Sequence, residues 1–443
     1  MVINKKLFRL SLFQFGLGFA VVIFNGALNR VLISEEGIPA GIIGWLLSLG
    51  LFVAPVRALM GIRSDREKKT FGYRRLPYIW YGMMMVFCAL ASAPFSLLLL
   101  SKSSTIGQDH TPFGLAIVAC TIIFLVYALG VHISQTGYLA LVTDLVPKNE
   151  RSRAVAFLWT MLILGQIISS VILSLWLVDF SPFKLVQVMQ TSSIVFVALA
   201  ITAIWKQDKP VIITEEDEML TGQVMKVFAS NRVRLFFAIV FFGTLGLTSQ
   251  DILLEPYGGE VLRMTVSQTS GLTALWGIGM LVAMLIAWRA LTRVRSPLVV
   301  VIWGCLVGLV GFGLITYASV AQSVEMFATG AAIIGVANGL FLISTLSMIM
   351  GLADLKTAGL YVGLWGLTQT TASGLGSLIG SNVRDVIASS TNSVANGYAA
   401  VYVAEMVLIV VALIFLGVLR RNKLVTRRTG DSAFSGLTDI PGS

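Results

Sequence analysis

Asp251 and Glu255 stand four residues apart in the stretch QDILLEPYGGEVL at 250–262, a spacing that puts both carboxylates on one helix face. Pro256 disfavours helical geometry at Glu255, and Gly258 and Gly259 free the backbone beyond it. The stretch therefore predicts a helix broken beside a carboxylate, with Gln250 and Tyr257 as polar neighbours. Such a carboxylate can act as a hard oxygen ligand, a hydrogen-bond acceptor or a proton carrier. Its other reading is an ion pair with a base such as Arg30. A second constellation follows the helical period: His132, Gln135, Thr136 and Thr143 share one stripe with Leu139. A neutral imidazole is a common metal ligand, and the same ring in an apolar helix also makes interhelical hydrogen bonds.

The elements that must position these groups are membrane helices. The 443 residues are 56% hydrophobic and 12% charged, with a mean hydropathy of +0.86, against roughly a quarter charged in soluble domains. Apolar runs of about 20 residues recur along the chain, too long and continuous for barrel strands, so each is read as a helix. Twelve spans are predicted, at 7–33, 40–60, 76–100, 113–142, 154–178, 185–205, 235–254, 267–289, 297–320, 326–350, 358–380 and 397–419. The first follows Lys5, Lys6 and Arg9 but runs too long for a signal sequence and lacks a small-residue cleavage site, so it is expected to be retained. Polar groups at Gln14, Asn25, Asn29, Gln166, Asn338, Gln369 and Glu405 fall inside spans.

Basic residues set the expected orientation. Of 32 Lys and Arg, all but Arg30, Lys102, Lys184, Arg263 and Arg384 lie on the side that carries both termini. By the positive-inside rule both termini are cytoplasmic, and the +10 charge is a topology signal rather than a nucleic-acid one. Cys88, Cys120 and Cys305 lie in apolar spans without a close pair or metal spacing, and read as small buried hydrophobes. The polar connector 206–234 divides an N-terminal six-helix half, 1–205, from a C-terminal one, 235–419, with a cytoplasmic tail at 420–443. Weak self-similarity supports the division: FLWTMLILGQ at 157–166 resembles GLWGLTQTTA at 363–372, and PYIWYG at 77–82 resembles VVIWGC at 300–305. Repeats of this kind place a substrate cavity at the interface of the halves near the bilayer midplane.

Between the second and third spans, GIRSDREKKTFGYRR carries Gly61, Asp65 and Arg66 at the spacing of the major-facilitator loop signature, with Lys68 where that pattern has glycine. Asp65 and Arg66 can pair across helix ends that part during rocking, and Asp144 joins this gating set; the other reading is a basic loop that only sets topology. Three stretches are more specific: YRRLPYIWYG at 73–82, LGVHISQTGYLALVTDLVP at 129–147, and QDILLEPYGGEVL. Together they resemble the PucC/LhaA-type bacteriochlorophyll delivery family of the major facilitator superfamily.

The resemblance implies an all-α membrane protein of twelve transmembrane helices in two pseudo-symmetric six-helix halves. It also implies a carrier or delivery factor for chlorophyll or bacteriochlorophyll in assembly of light-harvesting or photosystem complexes. Antenna or photosystem subunits, and pigment-synthesis enzymes, are the implied partners, in an inner, thylakoid or intracytoplasmic photosynthetic membrane. In that light His132 becomes a candidate axial ligand to pigment magnesium, with Gln135, Thr136, Gln250, Asp251, Glu255 and Tyr257 as further pigment contacts. Two alternatives stay open: a non-transporting pigment–protein assembly factor, and a small-solute transporter. An enzyme is not expected, since the chain carries no GxxxxGK[ST], HExxH or GxSxG motif and His110 lies in a connector.

Overall fold

Residues 5–66, 75–100, 113–146, 151–207, 228, 230–293, 296–352 and 358–429 are described by a computed structural model, and among them every regular element is helical. Helix α1 (Lys5–Val22) continues through two π-helical segments, Ile23–Leu28 and Val31–Glu35. Then come α2 (Ala40–Arg66), α3 (Leu76–Leu100), α4 (Phe113–Leu145), α5 (Arg151–Trp176) and α6 (Pro182–Ile204). The start of α6 follows from its sequence: the Ser181 side chain accepts from the Lys184 amide at 3.2 Å, and Pro182 occupies a position whose missing N–H costs nothing.

Helix α7 (Asn231–Thr248) runs into a 3₁₀ turn at Ser249–Ile252, followed by the short α8 (Leu254–Glu260). The remaining helices are α9 (Val266–Arg293), α10 (Pro297–Ala321), α11 (Val324–Leu352), α12 (Ala358–Thr391) and α13 (Val394–Thr429). Ten helices among the described residues are long and apolar enough to cross a membrane. The expected second span contains the shorter apolar stretch Ala40–Val53, and the eleventh is α12, which carries Arg384 and Asp385 as a pair at 2.7 Å. The chain is thus a multi-pass membrane protein; among the described residues a long helix stands at each of the twelve expected positions, and ten of these are apolar enough to cross a membrane.

Two compact units form, Met1–Ile213 with Ile252–Gly277, and Thr214–Asp251 with Ile278–Ser443. In the first, α1 packs on α5 and α6, α3 on α4 and α6, and α2 on α4. In the second, α7 packs on α12 and α13, α10 on α11 and α13, and α9 meets α11 where Gly339 faces Ala283. The two schemes correspond helix by helix, α1 to α7, α3 to α10, α4 to α11, α5 to α12 and α6 to α13. This is the pseudo-symmetry that the short sequence similarities suggest. The grouping sends residues 252–277 to the first unit, although the sequence division at 235 places them in the second half. Most of the expected connector, 208–227, lies outside the described residues. Cys120 and Cys305 are buried, whereas Cys88 is exposed on α3 and is not a core residue.

Candidate functional site

The helix break falls before Pro256, not at it. Helical geometry tightens to 3₁₀ at Ser249–Ile252, and α8 then starts afresh, with the Tyr257 amide bonded to the Leu253 carbonyl at 2.9 Å. Pro256 sits in the first turn of α8, where backbone N–H groups have no intrahelical partner, so it nucleates rather than interrupts. Because the helix restarts, the expectation that Asp251 and Glu255 share one face fails. Asp251 is exposed and belongs to the second unit; Glu255 is 3% exposed and belongs to the first.

Glu255 sits in a polar cluster built from α1, α8 and α9. Its Oε1 accepts from Thr273 Oγ1 at 2.6 Å, while Oε2 has no hydrogen-bond partner among the described residues. Arg30, 2% exposed, donates from Nη1 to Glu35 Oε1 at 2.7 Å and from Nη2 to the Met264 carbonyl at 2.9 Å. The ion pair expected between Arg30 and Glu255 is therefore not a direct contact. Glu35 takes the guanidinium. Asn29 Nδ2 donates to the Ile252 carbonyl at 2.5 Å and Ser34 Oγ to the Pro256 carbonyl at 3.3 Å.

The π-helical segments make this meeting geometrically feasible. Their i→i+5 bonding widens the turn, and such bulges recur at functional sites. Two glycines let the backbones close: a Cβ at Gly26 would stand 2.7 Å from Glu255 Oε1, and one at Gly259 would stand 2.7 Å from Arg30 Nη2. Buried polar atoms normally find partners, yet among the described residues Glu255 Oε2, Asn29 Oδ1 and Arg30 Nε have none. The cluster can thus accept a proton, bind water or hold a polar group of a ligand. Tyr257 is buried in α8 beside these residues in sequence.

His132 serves helix packing. Its Nε2 lies 3.0 Å from the Gly50 carbonyl, so it bridges α4 to α2 through the interhelical hydrogen bond that its sequence allowed. Thr136 spends its hydroxyl on the His132 carbonyl at 2.6 Å, and Gln135 is partly buried. The ring borders a cavity of about 160 Å³ together with Asn25, Phe124 and the stacked pair Phe24 and Tyr127, whose centroids are 3.8 Å apart. Pockets for drug-sized ligands run to roughly 300–1,000 Å³. The cavity does not fit a whole tetrapyrrole as it stands, and Nε2 would have to leave Gly50 to reach a metal.

Of the gating set, Asp144 is placed clearly. Its Oδ2 lies 3.1 Å from Nε of Arg75, tying the end of α4 to the start of α3. The sequence does not single out Arg75, which stands in YRRLP among several bases. Gly61, Asp65 and Arg66 fall in the last turns of α2, and their side chains lie outside the described residues.

In the second unit, Gln250 Nε2 donates to Asp251 Oδ1 at 2.8 Å, and the buried Gln250 Oε1 has no partner among the described residues. Glu405 of α13 is buried, 1% exposed. Among the described residues no group of three or more His, Cys, Asp or Glu side chains could hold a metal ion.

These helices and their repeated packing define the major facilitator fold. Over 94% of this chain and 99% of the other, they superpose on the nucleoside transporter NupG with a TM-score of 0.69 at 15% identity, a likeness of fold alone. The chain belongs to the PUCC protein family, which it matches over residues 27–424. It is 37% identical to Protein PucC of Rhodovulum sulfidophilum over 86% of each chain. It is also 27% identical, over 92% of its length and 93% of the other's, to the protein named bacteriochlorophyll synthase 44.5 kDa chain in Rhodobacter capsulatus.

Proposed function

We infer that this protein carries chlorophyll or bacteriochlorophyll to nascent light-harvesting or photosystem subunits, working as a carrier rather than as an enzyme. The observation that bears most of this reading is the family match along nearly the whole chain, joined by a relative whose name refers to bacteriochlorophyll. The buried cluster around Glu255 supports it as a polar anchor with unfilled hydrogen-bonding capacity. The pigment is cargo. Its macrocycle needs more room than the His132 cavity offers, so His132 is proposed to meet it only after the α2–α4 contact opens.

Purification from phototrophic membranes in mild detergent tests the reading. The expected result is a tetrapyrrole absorption band and a matching mass retained with the protein. A small polar solute in its place would make the chain an ordinary solute transporter. Orientation is part of the same proposal: the basic residues favour both termini in the cytoplasm, and the membrane is proposed to be a photosynthetic one. Reporter fusions after Arg428 are expected to be active only in forms that work on the cytoplasmic side. Activity confined to the outer side would reverse the assignment.

A further inference from the structure

The start of α3 and the end of α6 enclose a groove of about 510 Å³ that takes no part in the cluster around Glu255 or in the His132 cavity. Trp80, Tyr81 and Trp205 wall it, and they are 45%, 59% and 60% exposed. Trp80 and Tyr81 come from PYIWYG, part of a family-specific stretch that the proposed carrier role leaves unexplained. Lys206 lines the rim, and among the described residues no acid does. The chain turns there out of α6 in the left-handed region, at φ 53° for Lys206. A second cation stands beside it, because Arg9 donates from Nη2 to the Trp205 carbonyl at 2.6 Å. Arg75, the next base along α3, is already held by Asp144.

We propose that this groove is a binding site for an anionic diacyl phospholipid, with the phosphate at Lys206 and Arg9 and the upper acyl chain along Trp80, Tyr81 and Trp205. Three features select that occupant. Indole and phenol rings that present both an apolar body and a polar edge sit at headgroup level. Two cations with no facing acid among the described residues favour an anion over a zwitterion. The lining residues 76–81 rise only about 9 Å along α3, less than a third of the roughly 30 Å that a transmembrane helix needs, so a single-span partner would not be seated by it.

The test uses the purified full chain in detergent, with phosphatidylglycerol and phosphatidylcholine of identical acyl chains as probes, read by native mass spectrometry. Wild type is expected to prefer phosphatidylglycerol by roughly fivefold for each cation engaged. Lys206→Gln, at an exposed position that leaves the fold intact, should lose the Lys206 share of that preference, and Lys206→Arg should keep it. Trp205→Leu should weaken both lipids alike. Equal binding of the two lipids by wild type, or an unchanged preference in Lys206→Gln, would overturn the proposal. So would loss of co-purified pigment from Lys206→Gln with lipid preference intact, which would give the groove to the cargo.

Discussion

Arg30→Gln is expected to destabilise the protein by about 3–5 kcal/mol, the scale for leaving one member of a buried charge group uncompensated. Arg30 and Glu255 are buried in the same polar cluster, and Glu255 Oε2 has no hydrogen-bond partner among the described residues. Glu255→Gln should cost much less. The amide oxygen still accepts from Thr273, and Arg30 keeps Glu35 and the Met264 carbonyl. Neutralising both residues should recover most of the stability lost in Arg30→Gln. Glu35→Gln should shift stability by only about 0–1 kcal/mol, since its side chain is 42% exposed and screened. Chemical or thermal unfolding of the four variants in one detergent measures the pattern, and Glu255→Gln as damaging as Arg30→Gln would refute it. Because it nearly keeps stability, Glu255→Gln also isolates what the carboxylate does for function. Antenna complexes are expected to accumulate less in this variant, and wild-type accumulation would remove Glu255 from the functional residues.

How far the sequence could foresee this site depends on helix type. The twelve spans follow from apolar length, and an interruption near 250–256 follows from proline and glycine chemistry. The partner of Arg30 does not follow, for a specific reason. Arg30 and Glu35 are five residues apart, off the three- and four-residue neighbours of an α-helix. In the π-helical segment Val31–Glu35 that separation matches the hydrogen-bond period. Nothing in IFNGALNRVLISEE announces π geometry, so α-helical spacing leaves Arg30 to Glu255, whereas its ion pair is with Glu35. Thr273 is hidden for a simpler reason: a single threonine in an apolar helix usually bonds its own backbone, and only the fold brings it to Glu255. Pro256 is a true landmark whose effect the sequence leaves ambiguous, because a proline that ends one helix and a proline that opens the next look alike. The stripe on α4 is legible as a face, yet Thr136 turns its hydroxyl inward to the backbone and His132 to Gly50.

Locking the segment Ile252–Gly277 to the first helix is expected to abolish pigment delivery. That segment is packed in the first compact unit, though α7 before it and the rest of α9 after it belong to the second. It is held there by Asn29 to Ile252, Ser34 to Pro256, Arg30 to Met264, and Ser267 to the Ser174 carbonyl at 2.6 Å. On the proposed carrier reading, alternating access would break and re-form these bonds in each cycle. A Cβ built at Gly259 lies 3.0 Å from Ser34 Oγ. That is about the distance from a Cβ to the far sulfur across an S–S bond of about 2.04 Å. Ser34→Cys with Gly259→Cys, in a Cys88→Ser background that removes the exposed thiol, should therefore cross-link on oxidation. The new Cβ also crowds Arg30 Nη2 at 2.7 Å, so the reduced double variant is the control for that contact. Pigment flux in proteoliposomes should fall to background in the oxidised protein and return on adding a thiol reductant, with each single-cysteine variant unaffected by oxidant. Full delivery by the cross-linked protein would mean that the segment need never leave the first helix. The chain would then hold pigment for assembly without alternating access.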